Sequence, residues 1–373
     1  MPRFARAVLV SVVVLLPACA DHNPVAPALR PAFNISAPPP GARDVTVMTQ
    51  NLYVGADVDL VIHALATPDP NDDLPALLFA IQTLGQTDFP ARAEAIADEI
   101  QRARPHAVGF QEVSQIDIDL QPLGLPVIVH QDFLAILQAA LAARGLHYEV
   151  AATSNNISVN LISGLVRLVD HDALLVDADR VHVNAASGQN FSVNLGQVAE
   201  GVVLIRGWVW ARTTVGDQSY TFATAHTESN LAGAPPGLIE QIRAAQASEM
   251  AATLAGDEQV VLMGDLNDTS GSPEYGVLSG AGFTDTWTAL HPGSGAEGLT
   301  CCHVADLSDQ IANFDQRIDY VWTRGLARAD EKVKGSVDRF GNMPADRVQG
   351  PVSLIWPSDH AGLLADFKVP DLR

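Results

Sequence analysis

The run Val260-Val261-Leu262-Met263-Gly264-Asp265-Leu266-Asn267-Asp268 passes from wholly apolar to acid, amide and acid within little more than one strand length. Four consecutive apolar residues, rather than an alternation, suit a strand covered on both faces. Gly264 permits a turn or a close backbone approach. Asp265 and Asn267 are two apart, so on an extended chain their side chains point the same way. A buried strand that delivers a carboxylate and a carboxamide to one spot is unfavourable unless something polar is bound there. Alone, Gly-Asp-Leu-Asn-Asp reads equally well as turn chemistry.

Other segments repeat the plan. Val45 to Leu52 is strand-like and carries Asn51 at its end, and Ala107 to Glu112 is a second buried strand ending in a carboxylate. Trp208 to Val215 and Ser219 to Thr227 form a predicted hairpin about Gly216-Asp217, with His226 near the end of the second strand. Asp319 sits inside the strand-like Arg317 to Trp322, and Ser358-Asp359-His360 leads into a last strand, Ala361 to Phe367. Taken singly, each has a mundane reading: a turn asparagine, a surface acid, a satisfied core imidazole. Their joint occurrence at strand ends is harder to dismiss.

Between these strands the periodicity turns helical. Pro90 opens a helix with the stripe Ala93, Ile96, Ala97 and Ile100, closed by Pro105. Asp132 caps a helix that Gly145 stops, Leu238 to Leu254 forms another, and a short one follows Ser272-Pro273. Gly55, Asp57 and Asp59 read as a loop opening an insertion over residues 54–88, with a short helix near Leu77 to Thr83. Residues 153–201 read as strands and loops elaborating an edge, with Ala173 to Val176 as a core strand. The mixed order is not the regular alternation of a doubly wound sheet.

With 373 residues, 47% hydrophobic and 17% charged, the composition is globular and sufficient for a large core. The formal charge of −21, from 22 basic and 43 acidic residues, repels polyanions and argues against a general nucleic-acid binder. It fits a cation-binding or a salt-adapted exported protein. Arg3 and Arg6 precede an apolar stretch, Ala7 to Leu16, too short to span a bilayer, which reads as an export signal. Leu16-Pro17-Ala18-Cys19 resembles a bacterial lipobox, which would make Cys19 the lipidated first residue of a membrane-anchored lipoprotein; ordinary cleavage would give a secreted or periplasmic protein. Residues 20–43 are a Pro- and Ala-rich linker, and a single domain is expected over 44–370. Cys301 and Cys302 are adjacent, so they are read as a vicinal disulfide or free thiols, structural or redox features without the further soft ligands a zinc site needs.

Taken together and in order, Thr49-Gln50-Asn51-Leu52, Phe110-Gln111-Glu112-Val113, Thr224-Ala225-His226, Gly264-Asp265-Leu266-Asn267-Asp268, Arg317-Ile318-Asp319-Tyr320 and Ser358-Asp359-His360 resemble the endonuclease/exonuclease/phosphatase superfamily of metal-dependent phosphohydrolases. The resemblance covers about residues 45–368. It implies an α/β fold, a four-layer sandwich of two packed mixed β-sheets flanked by helices. It implies Mg²⁺ (or Mn²⁺) at Glu112, with Asp359 and Asn51 completing or supporting the site. Asp265 would orient and deprotonate the attacking water, and Asn267 would donate to the phosphate. His360, held by Asp319, would act as an imidazolium, and His226 would contact the phosphate or assist the leaving group. Two departures stand out: His106 replaces an acid often found before the Gln-Glu strand, and Tyr53 stands where many abasic-site enzymes carry an acid two residues after the first Asn.

The expected function is that of an exported phosphoesterase acting on phosphodiesters in preference to monoesters. A small or membrane-presented substrate is expected, with the protein monomeric and, if lipidated, held at a membrane. An extracellular nuclease is the nearest alternative, disfavoured by the acidic charge. A surface binding protein with a decayed site is the alternative from another class, and retention of all six motifs argues against it.

Overall fold

In the computed structural model, residues 44–67, 69, 71–293, 297–328 and 331–370 are described. The export signal, Cys19 and the linker read from the sequence lie outside the described residues.

Along the chain, β1 (Val45–Asn51) is followed by α1 (Val58–Ala66), α2 (Asp73–Thr87), α3 (Phe89–Ala103) and β2 (Ala107–Gln111). Then come β3 (Gln115–Asp119), β4 (Ile128–Asp132), α4 (Phe133–Ala143), β5 (Tyr148–Leu161), β6 (Val166–Asp177) and β7 (Val181–Asn190). The short β8 (Gly196–Ala199) and β9 (Val202–Leu204) lead to the hairpin β10 (Gly207–Val215) and β11 (Gln218–His226). The remainder is α5 (Leu238–Thr253), β12 (Val260–Asp265), α6 (Pro273–Gly280), β13 (Thr284–Asp285), α7 (Thr286–Leu290), β14 (Asp319–Arg324), β15 (Gly335–Phe340), β16 (Val348–Gln349), β17 (Leu354–Ile355) and β18 (Gly362–Phe367).

Ten strands form one sheet, in the order β15-β18-β1-β2-β6-β5-β9-β8 with β3 and β4 attached through β6. Six form the second, in the order β13-β14-β12-β11-β10-β7. Each contains one parallel pair, β1 with β2 and β11 with β12, whose connections run through helices, as parallel neighbours require. The sheets pack face to face around Val45, Val47, Val176, Phe222, Val261, Met263, Val321 and Ala365. Alternate residues of the same strands point outward, where Met48, Val108 and Phe110 meet α1 to α4, and Leu262 and Trp322 meet α5 and α6. The result is the four-layer sandwich that the resemblance implies.

Local signals explain most boundaries. Pro90 stands in the first turn of α3, the Asp132 carboxylate accepts from the Ala135 N–H to cap α4, and Ser272 caps α6. Two readings change. The 54–88 insertion holds two helices, because Asp57 is not a loop residue but the N-cap of α1, accepting from the Leu60 N–H at 2.9 Å. Residues 153–201 are only partly an edge: Ala173 to Val176 is the core strand expected, and β6 lies inside the large sheet between β2 and β5, buried there on both faces. Among the described residues, no helix is long and apolar enough to cross a membrane.

Candidate active site

Strand parity carries the site. Val45 and Val47 of β1 face the inter-sheet core, so Thr49 and Asn51 face it too. The same rule aligns Val261 and Met263 with Asp265, Tyr220 and Phe222 with Thr224 and His226, and Val321 with Asp319. Register then makes the polar ends neighbours: Asn51 lies opposite Gln111, His226 opposite Asp265, and Asp265 opposite Asp319. Beneath them is a polar layer in which the Gln111 amide donates to Thr224 Oγ1 at 2.7 Å and to Thr49 Oγ1 at 3.3 Å. Gly264 has φ +137°, and a Cβ there would stand 2.1 Å from the Ala225 carbonyl oxygen, so only glycine fits between β11 and β12.

Asn51 joins the two sheets at this end. Its Nδ2 donates to Glu112 Oε1 and to Asp265 Oδ2, each at 3.1 Å, and its Oδ1 accepts from the Tyr53 N–H at 2.8 Å. In this arrangement it positions the two carboxylates rather than offering an oxygen to a cation. Glu112 follows β2 with φ +55°, and its other oxygen accepts from the Val54 N–H at 2.8 Å. Asp265 Oδ1 accepts from the Asn267 N–H at 2.9 Å. Asn267, at φ +51°, lines the cleft while its Nδ2 donates to the Thr227 carbonyl at 3.1 Å.

Asp319 Oδ2 lies 2.8 Å from His360 Nδ1, and both residues are buried. Burial by itself favours the neutral ring, but Asp319, Asp359 and Asp265 together outweigh it and hold His360 charged, its pKa well above the usual value. Nε2 then faces the gap between Asp265 and Asp359, 4.0 Å from an oxygen of each. The Asp359 loop is fixed by Ser358, whose Oγ donates to the Asn51 carbonyl at 2.6 Å. Buried Arg92 ties that loop to the end of β1, donating to the carbonyls of Pro357, Tyr53 and Leu52. His106, the departure from the family acid, is buried and accepts from the Thr46 N–H at 3.1 Å; burial pushes its pKa down to about 4. It supports β1 as a neutral ring, away from the chemistry.

Sequence reasoning missed Arg206 as a site residue. It lies between β9 and β10, buried, with Nη1 3.2 Å from His226 Nδ1, Nε donating to Glu228 at 3.2 Å and Nη2 to Ser229 Oγ at 2.9 Å. Burial first, and then Arg206 and His360, hold His226 well below its usual pKa. The two site histidines therefore differ in charge: His360 is an imidazolium and His226 a neutral ring, with Nε2 3.6 Å from Asp265. No strand-end motif marks Arg206; its position in the link from β9 of one sheet to β10 of the other becomes meaningful only in three dimensions.

The cleft has a volume of about 330 Å³. Asp57, Asp59, Glu112, Asp170, Asp265 and Asp359 line it against Arg206 and His360. Burial and that excess of carboxylate raise the pKa of two of these acids. Burial, with the Asp319 charge next, raises Asp265 to about 6, while burial and the Glu112 charge raise Asp359 to about 7, against the opposing pull of His360. A divalent cation with a preference for oxygen fits such a donor set. Asp265, Asp319 and His360 have ligand atoms within 4.8 Å of one another, but a protonated ring bonded to Asp319 is a poor ligand; Glu112 and Asp359 are further carboxylates lining the same cleft. Cys301 and Cys302 form a vicinal disulfide on the wall of the cleft, with Cys302 Sγ 3.8 Å from His360 Nε2.

The chain matches the family model described as "Endonuclease/Exonuclease/phosphatase family" over residues 48–360. None of the curated proteins matches it. Among solved structures it is similar to an endonuclease/exonuclease/phosphatase family protein from Leptotrichia buccalis C-1013-b, at 16% identity and TM-score 0.52 over 87% of this chain and 99% of that one. It is similar to a Bacteroides thetaiotaomicron protein of the same family, at 16% identity and TM-score 0.50 over 87% and 98% of the two chains. The same holds for D. rerio TDP2 humanized by 14 mutations, at 16% identity and TM-score 0.50 over 87% and 98%. At these identities the likeness is one of fold. A sequence match that runs from the first site strand to His360, on a sandwich whose inter-sheet end gathers the matched residues, means that the chain belongs to the endonuclease/exonuclease/phosphatase family.

Proposed function

We propose that the protein is an exported, Mg²⁺-dependent phosphoesterase that hydrolyses phosphodiesters of small or membrane-presented substrates. The observation that carries this reading is the Asn51 bridge, which holds Glu112 and Asp265 3.1 Å from one amide nitrogen with a fixed imidazolium nearby. Mg²⁺ (or Mn²⁺), held by Glu112 and Asp359, would supply charge neutralisation at the phosphate.

The residues divide the remaining work. Asp265, with its pKa near 6, is ionised at neutral pH yet basic enough to take a proton from the attacking water. His360 donates from Nε2 to phosphoryl oxygens and, as the charged acid of the pair, to the departing oxygen. The lowered pKa of His226 supports a neutral ring that contacts the phosphate over one that protonates the leaving group. Asn267 contributes an amide donor and Arg206 a second positive charge. The basic leader segment and Cys19 support export and lipid anchoring, which would place the cleft at a membrane surface.

Hydrolysis of bis(p-nitrophenyl) phosphate tests the reading. Turnover that disappears with EDTA and returns with Mg²⁺ is expected. Metal-independent turnover, or none with any divalent ion, would defeat it. Faster cleavage of duplex DNA than of lipid or small phosphodiesters at physiological salt would favour the nuclease instead.

A further inference from the structure

A second cavity adjoins the cleft and is chemically its opposite. It lies between the α1–α2 pair and the outer face of the large sheet, with a cavity volume of about 70 Å³. Sixteen aliphatic residues and Arg167 line it, among them Val61 and Ile62 of α1, Leu77 and Ala80 of α2, and Ile118 and Val159 of the sheet. Val54, Ala56 and Val58 belong to both cavities, so one segment of chain separates this cavity from the carboxylates.

The lining restricts what can enter. With Arg167 as its one polar lining residue, the wall offers little directional hydrogen bonding to a sugar or a base. Such a space stays dry, and left unfilled it forfeits the dispersion contacts of its walls. Protein interiors are otherwise close-packed, so an open aliphatic space beside a catalytic cleft is a structured exception. The helices over it also carry exposed apolar side chains: Leu60, Leu74, Leu78 and Phe79 are 40%, 51%, 38% and 52% exposed, beside the exposed Asp59 and His63 of α1. Among the described residues, these are four of the twelve exposed large apolar side chains.

We propose that the cavity beneath α1 and α2 binds the alkyl or acyl chain of an amphiphilic phosphoester whose phosphate occupies the cleft. The inference rests on the phosphoesterase reading of that cleft and names its substrate class. The chain passes the N-terminal turn of α1 at Val58, and the aliphatic walls select for length and apolarity rather than for headgroup.

The test is calorimetric binding of a series of n-alkyl phosphates, from ethyl to decyl, below their micellar concentrations. For the wild-type protein, Kd is expected to fall by about two- to fourfold per added methylene until the cavity is full, with an increasingly negative heat-capacity change. Ala80→Phe fills the cavity from α2, and Val159→Phe fills it from the sheet. Each is expected to remove the gain with chain length while leaving ethyl phosphate binding unchanged, which also reports that the variant is folded. Equal Kd across the series, or a gain that survives both variants, overturns the proposal. Turnover of bis(p-nitrophenyl) phosphate is measured in parallel. Turnover without a chain-length gain removes only the chain site, and a gain without metal-dependent turnover keeps the site and removes the phosphoesterase reading.

Discussion

Asp319 Oδ2 lies 2.8 Å from His360 Nδ1, and this contact decides which of the two site histidines is charged. His226, equally buried, has Arg206 beside it where His360 has a carboxylate. Two rings of one residue type thus differ in protonation because carboxylates led by Asp319 outweigh burial at one, while burial and Arg206 act together at the other.

Asp319→Asn is therefore expected to lower kcat by about 10²-fold at neutral pH, the scale of losing one charged stabiliser at a transition state. The residual activity should recover as pH is lowered, because the weakened ring charges only at lower pH. The pH–rate profiles of the two proteins check this, and parallel profiles would show that Asp319 has no part in holding the charge.

Asp265 sets the acid limb. Its pKa is raised to about 6, chiefly by burial, and a base must be ionised to act. Wild-type kcat/KM is expected to rise with pH through about 6. The sign for stability is opposite: a carboxyl with a raised folded pKa binds more protons when folded, so its contribution weakens as pH rises from the unfolded value through 6. Asp359, at about 7, acts in the same direction. A cation replaces those protons, so Mg²⁺ should raise the thermal midpoint more at pH 7.5 than at pH 5. An equal shift at both, followed by calorimetry, would mean that the ion binds elsewhere.

Arg206 is predicted to hold the phosphate. Because Glu228 is buried beside it, Arg206→Met alone leaves an unpaired buried carboxylate, at a cost of about 3–5 kcal/mol. The double variant Arg206→Met/Glu228→Gln removes that charge. It is expected to regain most of the stability yet keep a kcat/KM deficit of about 10-fold or more. Removing Arg206 also removes a charge that depresses His226, so the His226 imidazole resonances should titrate at higher pH. Full activity of the double variant would make Arg206 a structural residue only.

Gly264→Ala is expected to destabilise the fold by about 2–4 kcal/mol, because the new methyl meets the Ala225 carbonyl and φ +137° is strained for any L side chain. Denaturant midpoints measure this. A change within about 0.5 kcal/mol would show that β11 and β12 can separate freely.

Much of this was legible in the residues. The continuous apolar run Val260 to Met263 marked a strand buried on both faces, and parity at Asp265 carried its side chain to the end of the inter-sheet core. Pro90, Asp132 and Ser272 marked helix starts because each acts through its own backbone neighbourhood. The α1 helix was hidden because Gly55 and Asp57 carry turn chemistry that here serves as a cap. Arg206 was hidden because nothing local distinguishes it from a surface arginine; its role arises from β10 bringing it against His226 and Glu228. The apolar cavity was illegible for the same reason, since its walls come from helices and strands over a hundred residues apart.

The most direct measurement is the Mg²⁺ dependence of phosphodiester turnover in wild type, Glu112→Gln and Asp265→Asn side by side. A neutral amide coordinates Mg²⁺ less well than a carboxylate and cannot accept the proton of water. Glu112→Gln should raise the Mg²⁺ concentration for half-maximal activity by about 10-fold or more while recovering much of kcat at high metal. Asp265→Asn should lower kcat by about 10²–10⁴-fold with half-activation little changed. Wild-type turnover in Asp265→Asn, or an unchanged metal requirement in Glu112→Gln, would contradict the assignment of base and metal ligand on which the account rests.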